Sequence, residues 1–307
     1  MRRPALLAVA LLLATAGIAI AADPIGVITE LQLGGGHVEV KPAAGGDWQP
    51  ARPLLAVHAG DQLRASGDAR AVVVFMASQR GTILTEASSP LTAAAPAEPG
   101  IGERLKAALG FLQTASREPS RVAASMRGSR ELAPLIVAPR GATLVTPEAL
   151  TLDFTGPERL RYTARILAAD GRVLWEGRDL APRPVTLSAR EVRLAPGRYH
   201  WELQAPGHGV QHASFDVPAA EVTGRVKAAL AQVAAARYPP ATAALLRAAG
   251  LMRERFYADA RRELLAGLAV SPAEPTLHLL LANVYQETGP EGFAEREFAD
   301  AAAPPAR

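Results

Sequence analysis

At about Ala219 the hydrophobic pattern of this 307-residue chain changes its period. Upstream, short apolar runs alternate with polar residues and are cut by Gly and Pro turns, the pattern of strands half-buried on a sheet. Downstream, proline and strand signals give way to alanine-rich segments with helical spacing. Period 2 and period 3.6 demand different packing partners, so one uniform architecture cannot serve the whole chain. A chain of this length suits two or three modules, each large enough to bury a core. The expected fold class is therefore multi-domain β + α.

Composition narrows the functional classes. The hydrophobic fraction is 49%, but much of it is alanine and aromatics are only 5%, so no segment outside the N-terminus needs a membrane-sized explanation. Residues 1–22 carry a basic head (Arg2, Arg3), an apolar run from Ala5 to Ile20, and Ala19 and Ala21 placed for an A-x-A cleavage site. This reads as a Sec-type signal peptide and predicts a periplasmic or secreted protein with no stable membrane span after cleavage. An uncleaved anchor is the competing reading; against it, the stretch is short and the strand-like Ile25 to Leu31 follows at once. Without Arg2 and Arg3, Lys+Arg falls from 33 to 31 against 30 acidic residues, leaving no basic block to track a phosphate backbone. Nucleic acid is not an expected partner. With no cysteine there is no lipobox, no disulfide and no thiolate chemistry.

Residues 23–92 read as a small β domain: Ile25 to Leu31, a Gly34-Gly35-Gly36 turn, His37 to Lys41, Gly60-Asp61-Gln62-Leu63, Gly67-Asp68, the run Arg70 to Met76, and Gly81 to Thr85. The run Val72 to Met76 is continuous enough for a strand buried on both faces. Val38, Val40, Trp48, Gly60, Asp61, Leu63, Gly67, Ala71, Val73, Phe75 and Leu84 match a pattern that resembles the FecR-type domain of secreted bacterial proteins. The resemblance implies a β scaffold in which the glycines close turns and the aspartate satisfies turn amides, not an active site. It departs from the membrane-spanning anti-sigma regulators, which carry a cytoplasmic helix before their span. Residues 93–134 read as a linker, with one helix from Ile101 to about Ala115 carrying Leu105, Leu109 and Leu112. Met126 to Arg130 resembles an "R-G" element that follows such domains; an exposed basic turn is the plainer reading.

Residues 135–218 read as an immunoglobulin-like β-sandwich. Leu160, Tyr162, Ala164 and Ile166 alternate with Arg161, Thr163 and Arg165, Asp170-Gly171 supplies a hairpin turn, and Tyr199, Trp201 and Leu203 face inward. The run Leu194 to Leu203 resembles the late strands of fibronectin-like bacterial sandwiches, which makes these aromatics core rather than sugar platforms.

Residues 219–307 show a recurrence of 34. Ala248 and Leu251 return as Ala282 and Tyr285, and Ala260, Leu264 and Gly267 return as Ala294, Phe298 and Ala301, with Pro272 ending the first unit. This resembles the tetratricopeptide repeat, in which paired helices approach closely only where side chains are small. Two units are fewer than such arrays usually need, so the helix from about Glu221 to Ala236 is expected to add a layer. The resemblance implies a groove for an envelope protein or peptide, shaped here by Tyr285 and Phe298. A helical cap or dimerisation block is the alternative.

No catalytic constellation stands out: no nucleophile elbow, no phosphate loop, and no metal-binding histidine pair, since His208 and His212 flank a turn rather than a helix. Dispersed carboxylates meeting in three dimensions stay open and would require a deep pocket between modules. The expectation is a non-enzymatic adaptor or scaffold without cofactor or metal, binding a protein through its helices. The alternative is a cell-wall or glycan-binding module in which Trp48 stacks on sugar rings of peptidoglycan.

Overall fold

The computed structural model describes residues 23–76, 78, 80–94, 133–141 and 143–302. The expected leader, the linker helix over 101–115 and the Met126–Arg130 stretch lie outside the described residues.

The N-terminal module consists of β1 (Gly26–Gln32), β2 (His37–Lys41), β3 (Gln49–Pro50), β4 (Ala56–Val57), β5 (Gln62–Ser66), β6 (Arg70–Phe75), β7 (Gly81–Leu84) and β8 (Leu91–Thr92). Two antiparallel sheets form, ordered β4-β1-β6-β7 and β3-β2-β5-β8, and they enclose Ile28, Val38, Val40, Leu63, Val73 and Leu84. The β1–β2 turn depends on glycine at one position: a Cβ on Gly36 would stand 1.8 Å from the Ser66 carbonyl oxygen, closer than any side chain permits. Asp61 accepts from the amides of Ala43 (2.9 Å) and His58 (2.8 Å), the turn-satisfying role expected of it.

The second module is a β-sandwich of β9 (Leu135–Ala138), β10 (Thr143–Leu144), β11 (Ala149–Thr155), β12 (Tyr162–Ala168), β13 (Val173–Leu180), β14 (Val185–Ser188), β15 (Gly197–Gln204) and β16 (Gln211–Val217). A five-stranded sheet, β10-β16-β15-β12-β13, faces a three-stranded one, β14-β11-β9. Period-2 alternation buries Tyr162, Ile166, Trp201, Leu203, Leu152, Phe154 and Phe215 between them. The Trp201 indole N–H is satisfied inside that core by the Pro139 carbonyl at 2.8 Å. On the opposite face the same alternation aligns a ladder of polar side chains across four strands: Arg165 with Glu176 (2.7 Å) and Glu202 (4.0 Å), and Glu202 with His212 (3.4 Å). That face is solvated.

The C-terminal region is helical: α1 (Ala220–Ala235), α2 (Pro240–Arg253), α3 (Tyr257–Val270), α4 (Pro275–Thr288) and α5 (Glu291–Ala302). α2/α3 and α4/α5 are antiparallel hairpins, and α1 packs on α2 as an added layer. The recurrent small residues Ala248, Ala260, Ala282 and Ala294 are buried where the helices cross. Leu277, Leu280, Leu281 and Val284 of α4 are buried as well, each worth about 1.5–3 kcal/mol in apolar transfer. Among the described residues no helix is long and apolar enough to cross a membrane.

The modules are not beads on a string. The outer face of β1 and β6, with Val27, Val72 and Val74 joined by Leu54 and Met76, shares one apolar cluster with Tyr238, Leu245, Leu277 and Tyr285. β6 is thus covered by its own module on one side and by helices on the other, which is why its sequence is an unbroken apolar run.

Candidate functional site

A buried polar site lies at the joint between β1 and the helix ends. β1 pairs Ile28 with Val73 and Glu30 with Val72, so Thr29 is an extra residue, a β-bulge. A bulge turns two successive side chains to one side. Here Thr29 and Glu30 both face the helices, while Ile28 and Leu31 stay in the module core.

Glu30 is 2% exposed and its Oε1 accepts from the Thr242 amide (2.8 Å) and hydroxyl (2.6 Å). That amide lies in the first turn of α2, whose own N-cap position, Pro239, makes no side-chain cap hydrogen bond. A residue 212 positions upstream therefore caps this helix. Glu274 is 1% exposed and is the N-cap of α4, accepting through Oε1 from the Thr276 amide (3.4 Å) and hydroxyl (3.0 Å). The same oxygen accepts from the Leu31 amide of β1 at 3.1 Å, and the Thr276 hydroxyl, with one proton to give, shares it between Glu274 and the Thr29 carbonyl at 2.8 Å. The Thr29 and Thr242 hydroxyls meet at 3.0 Å.

Two helix N-termini, with their partial positive charge, thus converge on two carboxylates. Their donors suit acidic side chains and disfavour a metal cation. Burial pushes the Glu274 carboxyl up; the Leu31 and Thr276 hydrogen bonds oppose this and the nearby Glu30 adds to it. Two buried polar atoms at this joint lack partners, Glu274 Oε2 and Arg70 Nε, while Arg70 Nη2 reaches Glu30 Oε2 at 3.5 Å.

A second joint ties the sandwich to α3. Thr143 accepts from the Tyr257 amide (2.9 Å) and donates to the Arg255 carbonyl (3.1 Å), and Thr146 donates to Asp259 (3.1 Å from its amide). Beside these contacts lies a cavity of about 90 Å³ lined by Leu150, Asp153, Asp259, Arg261, Arg262 and Leu265 among others. Its polar groups are paired: Arg261 with Asp153, and Arg262 with Asp259 at 2.7 Å. Burial raises both aspartates, opposed chiefly by those arginines. A cleft of about 270 Å³ between the sandwich end and α1 has mostly apolar walls, including Leu194, Pro196, Val217 and Pro218, with the exposed Lys227–Glu148 pair (2.6 Å) at its side.

The residues singled out in the sequence do not come together. Tyr285 is 2% exposed and offers no surface to a partner: it packs on Phe293 and its hydroxyl accepts from Arg261 Nε at 3.0 Å. It is a brace between α4, α3 and, through Arg261, the sandwich Asp153. Phe298 is partly buried against the shared core. Trp48 is half-buried in the N-terminal module, with the Arg64 guanidinium 4.2 Å from its ring centroid.

The expected groove needs correction. Of the two residues expected to shape it, Tyr285 is buried, and the surface of α2 and α4 that meets β1 is filled from within the chain. Two clues to that filling were present in the sequence. Glu30 is the one charged residue in the β1 strand, and Glu274 precedes Pro275 as an N-cap precedes a proline at the first helical position.

His278, Glu297 and Asp300 lie within metal-ligand distance of one another. The His278 ring is already committed at both nitrogens, Nδ1 to Glu297 (2.6 Å) and Nε2 to the Pro272 carbonyl (2.8 Å). A carbonyl and an ionised carboxylate can only accept, so with both contacts made the ring donates twice as an imidazolium and has no lone pair to offer a metal. The Glu297 hydrogen bond is the main cause holding its proton on above the ordinary histidine range.

No family model and no curated protein matches this chain. Among solved structures, CopC from Methylosinus trichosporium OB3b aligns at 26% identity over 28% of this chain and 93% of that one, with a TM-score of 0.22. A superposition of that quality decides neither fold nor function.

Proposed function

We propose that this protein is a non-catalytic scaffold of the bacterial envelope, whose helical array clamps its own β modules and whose outer faces meet a protein partner. The observation that carries the reading is the filled inner surface of α2 and α4: a helical array occupied by β1 works as a brace, and recognition is left to its exterior. The ionisable groups at both joints are committed to helix ends or to each other. Export rests on the leader-like residues 1–22. The glycan-binding alternative loses weight because Arg64 covers one face of Trp48.

α3 exposes Leu265 (37%), at the rim of the cavity beside the sandwich, and Val270 (65%), at its C-terminal end, which makes it the first helix to probe. A photo-crosslinking residue placed at Leu265 or Val270 of the full chain in its native host is expected to capture a discrete envelope protein, whereas one at Val173 on the sandwich edge is not. Absence of an adduct from every exposed helical position, with peptidoglycan pelleting the chain through Trp48, would replace this reading with the glycan-binding one.

A further inference from the structure

The β1–helix joint holds two buried carboxylates whose hydrogen bonds are unequally shared. Glu30 Oε1 accepts two donors from Thr242, and Glu274 Oε1 accepts from Leu31 and Thr276, but Glu274 Oε2 accepts none. The charged groups facing Glu274 are Glu30 of β1 and, beyond it, Arg70 of β6; α2 and α4 contribute only the Thr242 and Thr276 hydroxyls and amides. An ionised Glu274 would place a bare buried oxygen beside a second carboxylate, with Arg70, at 3.5 Å from Glu30, as the counter-charge among the described residues. A protonated Glu274 keeps every Oε1 hydrogen bond and leaves only a hydroxyl at Oε2.

We propose that this joint is a proton-operated latch: β1 stays seated on the ends of α2 and α4 while Glu274 carries a proton, and loss of that proton unseats it. Unseating would free β1 from the ends of α2 and α4, so the latch sets how firmly the N-terminal β module and the helices are held together. The sign follows from burial. Because the seated carboxyl is pushed above the ordinary glutamate range, the seated state binds more protons. Seating is therefore strongest below that range and weakens as pH rises through the raised value, by up to about tenfold in the opening constant per pH unit.

Hydrogen-exchange protection factors at the Leu31 and Thr242 amides, measured against pH on the full chain, test this. The wild type is expected to lose protection as pH rises, and Glu274→Gln, which keeps the shape and cannot ionise, to hold it constant. A wild type with pH-independent protection, or a Glu274→Gln variant with the wild-type pH dependence, would overturn the latch. Should that variant not fold, a carbon-13 titration of the Glu274 carboxyl in the wild type decides: an elevated midpoint supports the proposal, and one at or below the ordinary glutamate range refutes it.

Discussion

Single residues carry most of the inter-module chemistry. Arg261 is the plainest case: one side chain reaches Asp153 of the sandwich and Tyr285 of α4, and both it and Asp153 are largely shielded from water. Removing one member of a buried ion pair strands the other, so Arg261→Met is expected to cost about 3–5 kcal/mol. The double change Asp153→Leu with Arg261→Met should recover most of that loss, because the stranded charge is gone. Denaturant midpoints of the two variants check this, and equal losses would refute the pair's role. His278 makes a pH-linked prediction. Its proton is held above the ordinary histidine value, so its contribution to α4–α5 packing is full below that value and disappears as pH rises through the elevated one. Thermal scans of His278→Gln should lack this alkaline-side decline relative to wild type.

At the scale of elements, packing and intrinsic propensity can be set against each other. Gly267 lies inside α3, where alanine is favoured over glycine by about 1 kcal/mol. A Cβ there would stand 2.7 Å from the Ala244 Cβ and 3.0 Å from a Leu277 methyl, and overpacking of that kind costs about 1–3 kcal/mol. Gly267→Ala is therefore expected to destabilise. Gly250 of α2 has nothing within 4 Å of its missing Cβ, so Gly250→Ala should stabilise by about 0.5–1 kcal/mol. Opposite signs in one denaturation series would confirm the close crossing; equal signs would contradict it. These elements were legible because their signals are local. The recurrence of 34 marked Ala260, Gly267 and Ala294 as crossing positions, the unbroken Val72–Met76 run announced burial on both faces, and alternation placed Tyr199, Trp201 and Leu203 inward. The Thr29 bulge was not legible, because nothing in Ile25 to Leu31 shows that two successive polar residues face the same way.

Across the whole molecule, the sequence displayed the kinds of modules but not their docking. Glu30 meets Thr242 across 212 positions and Leu31 meets Glu274 across 243, distances over which no periodicity carries information. For the same reason Tyr285 read as a groove residue: the helical pattern marks which face is apolar, not whether a partner or the chain's own interior covers it. The docked arrangement has a consequence for dissection. A fragment of residues 219–307 would expose the α2 and α4 surfaces that now meet Val27, Leu54, Val72 and Val74, and it is expected to aggregate or remain unfolded when expressed alone.

The shared apolar cluster makes the β modules and the helices one cooperative unit. All three tryptophans, Trp48, Trp175 and Trp201, lie in the β modules, and the described α-helices all lie beyond residue 219. Equilibrium unfolding at acidic pH, followed on one sample by tryptophan emission and by far-ultraviolet helical ellipticity, reads the two parts separately. Coincident midpoints are predicted; a helical transition displaced from the tryptophan transition would show that the array folds without β1 and that the modules are not cooperative.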